Sequence, residues 1–446
     1  MGTYVSNSPA QQQELLKECG FDDFCQMFAS ASIPPSVLLK DELNLPEGQA
    51  ELSVSRTMSE LAAQNKVYKH IFRGAGAYNH YIPAAVPAIA GKEEFLTAYT
   101  PYQAEISQGI LQSVFEFQSM ICNLTGMDVA NASVYDGAAA AAEAAAMCHE
   151  RRRANTVYIS AAVNPEIIEV VKTYCFGRNI KVELVPAKDG VTDADALAGS
   201  IDNQASCFLI QQPNYFGNIE DAKKLGEITH AAKAKFIMSV NPISLAILET
   251  PAEAGADIAV GEGQPLGIPL SFGGPYLGFM ACTKKLMRQL PGRLVGQTID
   301  KDGKRAFVLT LQAREQHIRR EKASSNVCSN QQWCALTASI YLSAMGPAGL
   351  AEAAQQCTAK AHYLARKLSA LGLKLKYEQE FFHEFVTIAD ENSPLNSPAV
   401  LKTLDEHGIL GGLALNEHEI LWCCTELNAK QDIDECVQLI QAISGV

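Results

Sequence analysis

Short apolar segments alternate with helical segments between residues 157 and 282, and few folds accommodate this pattern. The predicted strands cover residues 157–160, 181–186, 207–211, 236–240, 257–260 and 277–282. The predicted helices between them cover residues 165–176, 194–201 and 221–234. Strands separated by helices indicate an α/β domain whose parallel sheet carries helices on both faces. In such sheets, ligands bind beyond the carboxyl ends of the strands, which here lie at residues 212–214, 241–242 and 261–263.

The loop between the last two predicted strands is rich in glycine and proline. Its glycines are Gly261, Gly263, Gly267, Gly273 and Gly274. Glycine lets another backbone or a ligand approach closely, so this loop is predicted to form the wall of a site. Residues 255–282 contain no lysine and no histidine, and their acids are Asp257 and Glu262. A site built here therefore lacks an obvious amine nucleophile or imidazole base.

A second polar loop, GAGAYNHYIPAAV, covers residues 74–86. It places Tyr78, Asn79, His80 and Tyr81 side by side, and tyrosine and histidine combine a hydrogen-bonding group with an apolar body. The loop either packs its aromatic rings on the core or lines a cavity.

An alanine-rich helix is predicted over residues 138–150, after the polar turn 131–137 and before the cations at 151–153. Acceptors at its start and cations at its end suit the helix dipole. A turn of small residues that opens a helix can also hold a phosphate through backbone N–H groups, although Asp136 would repel an anion.

A basic block at residues 314–322 precedes a polar cluster at residues 326–331. The basic block fits a solvated helix face. The polar cluster opens a predicted helix over residues 332–345 and fits either a helix start or a contact between subunits.

The chain is predicted to have three parts: a helical arm at residues 1–65, a large α/β domain at 66–330 and a small α+β domain at 331–446. Its net charge of −13 argues against nucleic acid or an anionic membrane as partner. No apolar run reaches the roughly 20 residues of a membrane span, and the N-terminus lacks a signal pattern. The 13 cysteines form no C-x-x-C motif, so we expect reduced core thiols, no metal site and a cytoplasmic protein.

Several long motifs resemble one known family. They are TPYQAEISQGILQ, FQSMICNLTGMDVANASVYDG, residues 213–221, GADIAVGEGQPLG and HIRREKASSNVCSNQQ. Together they resemble the glycine decarboxylase (P-protein) of the glycine cleavage system, and more narrowly the first of the two subunits of its split form. The similarity extends from about residue 8 to the end of the chain. It implies the fold type I architecture of pyridoxal-phosphate (PLP) enzymes, with a mostly parallel seven-stranded sheet.

The resemblance also implies that two cofactor residues are missing. The catalytic subunit carries a Schiff-base lysine in the loop that corresponds to residues 261–267, where this chain has Gln264 or a neighbour. It also places an aspartate under the pyridine nitrogen, where this chain has Val240. An amine is needed to attach PLP, and a carboxylate keeps the ring able to accept electrons. Lys284, Lys285 and Lys322 remain as candidate replacements, and the first two are predicted to be surface charges.

The resemblance therefore implies a PLP-lacking subunit of a heteromeric glycine dehydrogenase (decarboxylating), with no catalytic residue acting on this chain alone. The assembled enzyme would decarboxylate glycine with PLP held by subunit 2 and pass the aminomethyl group to the lipoyl arm of H-protein. A heterotetramer is implied by analogy. Residues that could line the partner's site or the interface are Tyr78, Asn79, His80, Tyr81, Ser324, Ser325 and Asn326. The alternatives are a purely structural subunit and an autonomous PLP enzyme acting on a small amino acid.

Overall fold

The computed structural model describes residues 7–39, 43–149, 154–323, 325–327 and 329–444. The chain divides into two compact units, Met1–Lys66 and Val67–Val446. The predicted division into an arm, a large domain and a small domain stays a prediction.

In the described part of the first unit, the α-helices are α1 (Pro9–Glu18), α2 (Phe24–Ser30) and α3 (Glu51–Ala62). A capping box starts α1, because the Ser8 hydroxyl accepts from the Gln11 N–H while the Gln11 side chain accepts from the Ser8 N–H. No residue of α3 is buried, although the helix carries several large apolar side chains.

The second unit contains the remaining helices and all the strands of the described ranges. The helices are α4 (Ala85–Ala90), α5 (Glu93–Leu96), α6 (Gln108–Thr125), α7 (Gly137–Cys148), α8 (Pro165–Arg178), α9 (Ala194–Ser200), α10 (Ala222–Ala231), α11 (Gln316–Arg319), α12 (Gln332–Ala370), α13 (Ser397–Glu406) and α14 (Lys430–Ser444). The first ten strands are β1 (His70–Ile71), β2 (Val129–Ala130), β3 (Thr156–Ser160), β4 (Lys181–Val185), β5 (Ala187–Lys188), β6 (Val191–Thr192), β7 (Ala205–Gln212), β8 (Lys235–Val240), β9 (Ile258–Glu262) and β10 (Gly278–Cys282). The other strands are β11 (Leu294–Ile299), β12 (Arg305–Thr310), β13 (Lys374–Leu375), β14 (Glu384–Ile388), β15 (Ile409–Leu410), β16 (Leu413–Ala414) and β17 (Glu419–Cys423).

The central sheet has seven strands in the order β2-β10-β9-β8-β7-β3-β4. Strands β4, β3, β7, β8 and β9 are mutually parallel, while β10 returns antiparallel after the glycine-rich loop. Alternate residues of each strand enter opposite cores: Phe236 and Met238 lie in one cluster, and Ile237 lies in the other. Burial on both faces explains why these strands are continuous apolar runs, and the predicted mostly parallel α/β sheet is confirmed.

A four-stranded antiparallel sheet, β13-β14-β17-β16, forms a second layer near the C-terminus. It shares a core with α12, α13 and α14. Segment α12 consists of two helices that meet at a kink, because the Gly346 backbone, with φ +60° and ψ 177°, is not helical. The first of them agrees with the helix predicted over residues 332–345. Within the described ranges, α12 alone is long and apolar enough to cross a bilayer by length and composition. It packs against α4, α6 and β14, as a core helix does.

The predicted solvated helix face at residues 314–322 is only partly correct. Helix α11 ends at Arg319, and Arg320 takes a left-handed backbone with φ +55°. Arg314 is half-buried and donates to the carbonyl oxygens of Leu290 and Gly292, the latter at 2.6 Å. The sequence analysis also missed the hairpin β11–β12, which precedes this segment.

The cysteines that the structure describes are all free, and most of them are buried. Cys19 and Cys25, in the N-terminal unit, are the exposed ones of this set, and Cys122 is intermediate. Burial raises the pKa of the Cys282 thiol to about 12 and that of Cys334 to about 11. Most of the described cysteines therefore lie in the core, as expected, and their reduced state stays a prediction.

Candidate functional site

A cavity of about 520 Å³ lies at the carboxyl ends of β7, β8 and β9. The starts of α7 and α8 and the loop after β1 complete its wall. Its polar lining residues are Tyr78, Asp136, Asn164, Glu166, Gln211, Ser239, Asn241, Glu262 and Tyr276. The described lining contains no lysine, arginine or histidine side chain. The strand ends thus converge as predicted, and they converge on a neutral to acidic cavity.

The start of α7 forms one side of this cavity. Asp136 caps the helix, because its Oδ1 atom accepts from the Ala139 N–H at 2.7 Å. The Gly137 N–H donates to Oε2 of Glu262 at 2.9 Å, while Oε1 of the same carboxylate accepts from the N–H groups of Gln264 and Leu277, each at 2.9 Å. The carboxyl group of Glu262 therefore joins the helix start to the glycine-rich loop.

The loop that carries Tyr78 is held by a buried carboxyl group, Glu384 of β14. One Glu384 oxygen accepts from the Tyr78 hydroxyl at 2.8 Å, and the other accepts from the Ala75 N–H at 2.6 Å. Glu384 is 3% exposed. Burial raises its pKa to about 7, against the opposing effect of the two hydrogen bonds. Burial, together with the nearby Glu384 charge, also raises the pKa of the Tyr78 hydroxyl.

We expect this carboxyl group to make unfolding pH-dependent. Because its pKa is about 7 in the folded chain and 4.5 ordinarily, its contribution is complete below pH 4.5 and is lost as pH rises through 7. The loss amounts to about 3 kcal/mol, since one pKa unit is worth about 1.4 kcal/mol. Urea unfolding between pH 4.5 and 8 should give a flatter profile for Glu384→Gln than for the wild type.

The unfolding free energy of Glu384→Gln should still depend on pH, because burial also raises the pKa of Glu262 to about 7, although three N–H donors oppose that rise. The double variant Glu384→Gln/Glu262→Gln should lose most of this remaining pH dependence. Equal slopes in the wild type and in Glu384→Gln would mean that Glu384 is ionised throughout this range.

His80 forms a second buried pair beside this loop. Its Nδ1 atom lies 2.8 Å from Oε2 of Glu426, and the side chains are 2% and 12% exposed. Burial raises the pKa of Glu426, but the hydrogen bond and charge of His80, with the Tyr81 N–H, lower it to about 2. The Cys357 thiol donates to the same carboxylate at 3.2 Å. Burial lowers the pKa of the neighbouring His383 to about 3, so that ring is neutral.

The residues that were predicted to line a partner's site lie in different environments. Tyr78 is buried at the cavity wall, and the carbonyl oxygen of Asn79 accepts from the Thr425 hydroxyl at 2.7 Å. Tyr81 is 52% exposed and is free to meet another chain. Ser325 is buried and Asn326 is exposed, and neither lines the cavity. Ser324 lies outside the described residues.

The fit of a covalently held PLP can be tested on the two positions that the resemblance marks. The Gln264 side chain is buried, accepts from the Tyr78 N–H at 2.9 Å, and donates to the carbonyls of Tyr78 and Ile268. It offers no amine and is fully occupied in holding the loop. Val240 lines the cavity where a carboxylate would be required. Lys284, Lys285 and Lys322 are all exposed, so the described cavity does not fit an aldimine-bound cofactor.

Sequence reasoning missed Glu384 and Glu426. Both lie more than 300 residues after the loop they hold. The sequence signal for Glu384 is a lone acid directly before the apolar residues Phe385 and Val386, and buried acids are rare without partners. No local pattern in the sequence identifies that partner.

Comparisons with known proteins identify relatives of this chain along nearly its whole length. The sequence matches the family described as "Glycine cleavage system P-protein" over residues 2–440. It is 49% identical over 448 residues to the "Probable glycine dehydrogenase (decarboxylating) subunit 1" of Moorella thermoacetica, covering 99% of both chains. The protein of the same name from Syntrophomonas wolfei is also 49% identical and covers 98% of both.

The fold is similar to that of solved PLP-dependent enzymes of fold type I. A crystal structure titled glycine decarboxylase (P-protein) of the glycine cleavage system, in inhibitor-bound form, superposes with a TM-score of 0.91 at 38% identity, covering 99% of this chain and all of that one. A cysteine desulfurase from Thermococcus onnurineus, at 14% identity and a TM-score of 0.63, covers 90% of this chain and shares the fold alone. The predicted fold type I architecture is confirmed. On these matches, which span nearly its entire length, the chain belongs to the glycine cleavage system P-protein family.

Proposed function

We propose that this chain is the PLP-lacking subunit of a heteromeric glycine dehydrogenase (decarboxylating). The whole enzyme would release CO2 from glycine and transfer the aminomethyl group to the lipoyl arm of H-protein, with the cofactor held by subunit 2. The reduced thiols of the described chain suit a cytoplasmic setting.

One observation carries the proposal. A chain that matches relatives named subunit 1 over almost its full length has, at the strand ends of a PLP-enzyme fold, a cavity without a lysine in the described lining. An aldimine needs an amine, so the amine must belong to another polypeptide. No step of the reaction is assigned to this cavity.

The chain's own residues then act by positioning. Glu384 and Glu426 hold the loop from Gly74 to Tyr81 from two sides, so its backbone is fixed and Tyr81 is presented outward. A residue that is exposed here and covered in a complex can complete a neighbouring active site at modest entropic cost, because its backbone is already ordered.

The proposal is tested by reconstitution. The purified chain should show no aldimine absorbance and no glycine–bicarbonate exchange by itself, whereas addition of subunit 2 and lipoylated H-protein should restore exchange. An aldimine on the isolated chain that borohydride fixes to one of its own lysines would instead establish an autonomous PLP enzyme.

Tyr81→Ala is expected to lower exchange in the mixed complex by about tenfold or more, which is the effect of losing one positioning contact. Its matched control is Phe176→Ala, which removes an aromatic ring that is 85% exposed on α8. The control should leave exchange unchanged. If Tyr81→Ala forms the complex and retains full exchange, this loop serves only as a scaffold, a role that the internally paired Tyr78 and His80 already favour.

A further inference from the structure

The carboxyl group of Glu262 lies where a bound anion would be stabilised. A helix N-terminus offers free N–H groups and a positive dipole end, and it binds phosphates and carboxylates readily. Helix α7 is 12 residues long, and its first N–H, that of Gly137, points to Oε2 of Glu262 at 2.9 Å. The N–H groups of Gln264 and Leu277 reach Oε1 from the glycine-rich loop, also at 2.9 Å.

Glu262 also packs closely against the start of α7. A Cβ atom added to Gly137 would lie 2.9 Å from both the Cβ and the backbone nitrogen of Glu262. Helix start and glutamate are therefore in direct contact, with no space for a phosphate between them. Asp136 uses the N–H group of Ala139, the third residue of the helix, for its own cap.

We propose that Glu262 is a built-in anion that closes the α7 N-terminus to phosphate, and thereby closes this chain's cavity to pyridoxal phosphate. The three N–H donors that a phosphate oxygen would need are already used. The described lining supplies acids at Asp136, Glu166 and Glu262 and no cation to offset their charge, so a dianionic phosphate would meet repulsion as well as an occupied donor set. The inference deepens the proposed function, since it gives a second reason, independent of the missing lysine, why the cofactor belongs to the partner.

The protonation state of Glu262 determines the pH at which phosphate binding should be measured. Burial raises its pKa to about 7, so the group is a carboxylate at pH 8. Inorganic phosphate is the probe, because it carries the recognised group without the aldehyde. The isolated full chain is used, so the outcome does not depend on the activity of subunit 2.

Glu262→Ala should bind inorganic phosphate at pH 8 at least about tenfold more tightly than the wild type by titration calorimetry. The variant frees one N–H group at the start of α7 and two in the adjoining glycine-rich loop. Glu262→Gln should remain as weak as the wild type, because the amide fills the same space. If Glu262→Ala does not fold, Glu262→Ser takes its place. Pyridoxal phosphate should follow the same order in absorbance titrations, without forming an aldimine.

The matched control is Asp221→Ala. Asp221 caps α10 from an exposed position, where its side chain accepts from the Lys224 N–H at 3.3 Å, so the variant also frees a helix start but opens no cavity. The Asp221→Ala variant should bind inorganic phosphate no more tightly than the wild type. The inference is overturned if the wild type binds phosphate as tightly as the alanine or serine variant, or if neither variant exceeds the Asp221→Ala control. Neither result would bear on reconstitution with subunit 2, which tests the proposed function separately.

Discussion

Gly217→Ala is expected to destabilise the chain by more than about 4 kcal/mol, the range of the most severe single substitutions. A Cβ atom at this position would lie 1.9 Å from the carbonyl oxygen of Glu384 and 2.4 Å from its carbonyl carbon. These are backbone atoms of β14, so rotation of a side chain cannot relieve the clash. Gly217 also has φ +87°, which adds strain for any residue with a Cβ atom.

The effect should extend to the cavity, because Gly217 lies at the contact between the loop after β7 of the seven-stranded sheet and β14 of the four-stranded sheet. Its carbonyl oxygen accepts from the Phe382 N–H at 3.1 Å, just before β14. Displacing β14 would move Glu384 away from the Tyr78 hydroxyl and release the loop that lines the cavity. Urea unfolding measures the stability, and the near-ultraviolet circular dichroism of the tyrosines reports the loop.

Gly199→Ala is the matched control, because it replaces a glycine in helix α9 with open space around the new Cβ atom. We expect it to be neutral or to stabilise by up to about 1 kcal/mol, since alanine is the better helix former. An unfolding midpoint for Gly217→Ala equal to that of Gly199→Ala would show that the contact between the sheets adapts freely.

His80→Ala is the second large expected effect, a loss of about 4 kcal/mol. Removing one member of a buried pair leaves its partner buried without that contact, and such changes typically cost 3–5 kcal/mol. The Glu426 carboxylate would keep the Tyr81 N–H at 2.6 Å and the Cys357 thiol at 3.2 Å, but it would lose the imidazole at 2.8 Å. We expect the glutamate to become protonated in this variant, so its pKa should rise from about 2.

His230→Ala provides the comparison. Its Nε2 atom lies 2.9 Å from Asp257, nearly the distance of the His80 pair, but its side chain is 45% exposed. An exposed pair contributes at most about 1 kcal/mol. The double variant His80→Ala/Glu426→Ala should be more stable than His80→Ala, because it removes the stranded charge.

The pH dependence of the unfolding free energy below pH 4.5 tests the His80–Glu426 pair independently. The Glu426 pKa is lowered, so its stabilisation is present above pH 4.5 and is lost as pH falls towards 2. That acid dependence should be weakened in His80→Ala. An unchanged acid dependence in the variant, or equal stability losses for His80→Ala and His230→Ala, would contradict a stabilising buried contact between His80 and the Glu426 carboxylate.

The sheet could be predicted from the sequence because its strands are buried on both faces and its helices carry clear ends. Helix α6 stops at Gly126, whose φ of +72° is the left-handed cap expected of a glycine there. The break inside α12 was also visible in the sequence, because Gly346 and Pro347 both interrupt helices and the Gly346 backbone is not helical. The packing of both parts of α12 against α4, α6 and β14 was not visible, because those contacts are not local.

The position of the site could be predicted from the sequence, but the contacts of its side chains could not. Parallel topology places strand ends together, so the location of the cavity followed from the pattern alone. The polar loop at residues 78–81 was visible, but the direction of each side chain depends on Glu384 and Glu426, and contacts across more than 300 residues leave no local signal. Glu262 was visible as an acid in the loop, and only the fold shows it at the start of α7.

The reactivity of the described thiols can report whether the core of the chain is intact. Alkylating reagents attack the thiolate, so among the cysteines that the structure describes, Cys19 and Cys25 of the N-terminal unit should be labelled first in the native protein. Buried thiols such as Cys357 and Cys424, whose pKa values burial raises well above the usual range, become reactive only when the surrounding core opens. Counting alkylated sites by mass spectrometry therefore distinguishes the native chain, labelled at exposed thiols, from a chain whose second unit has opened, with no probe introduced.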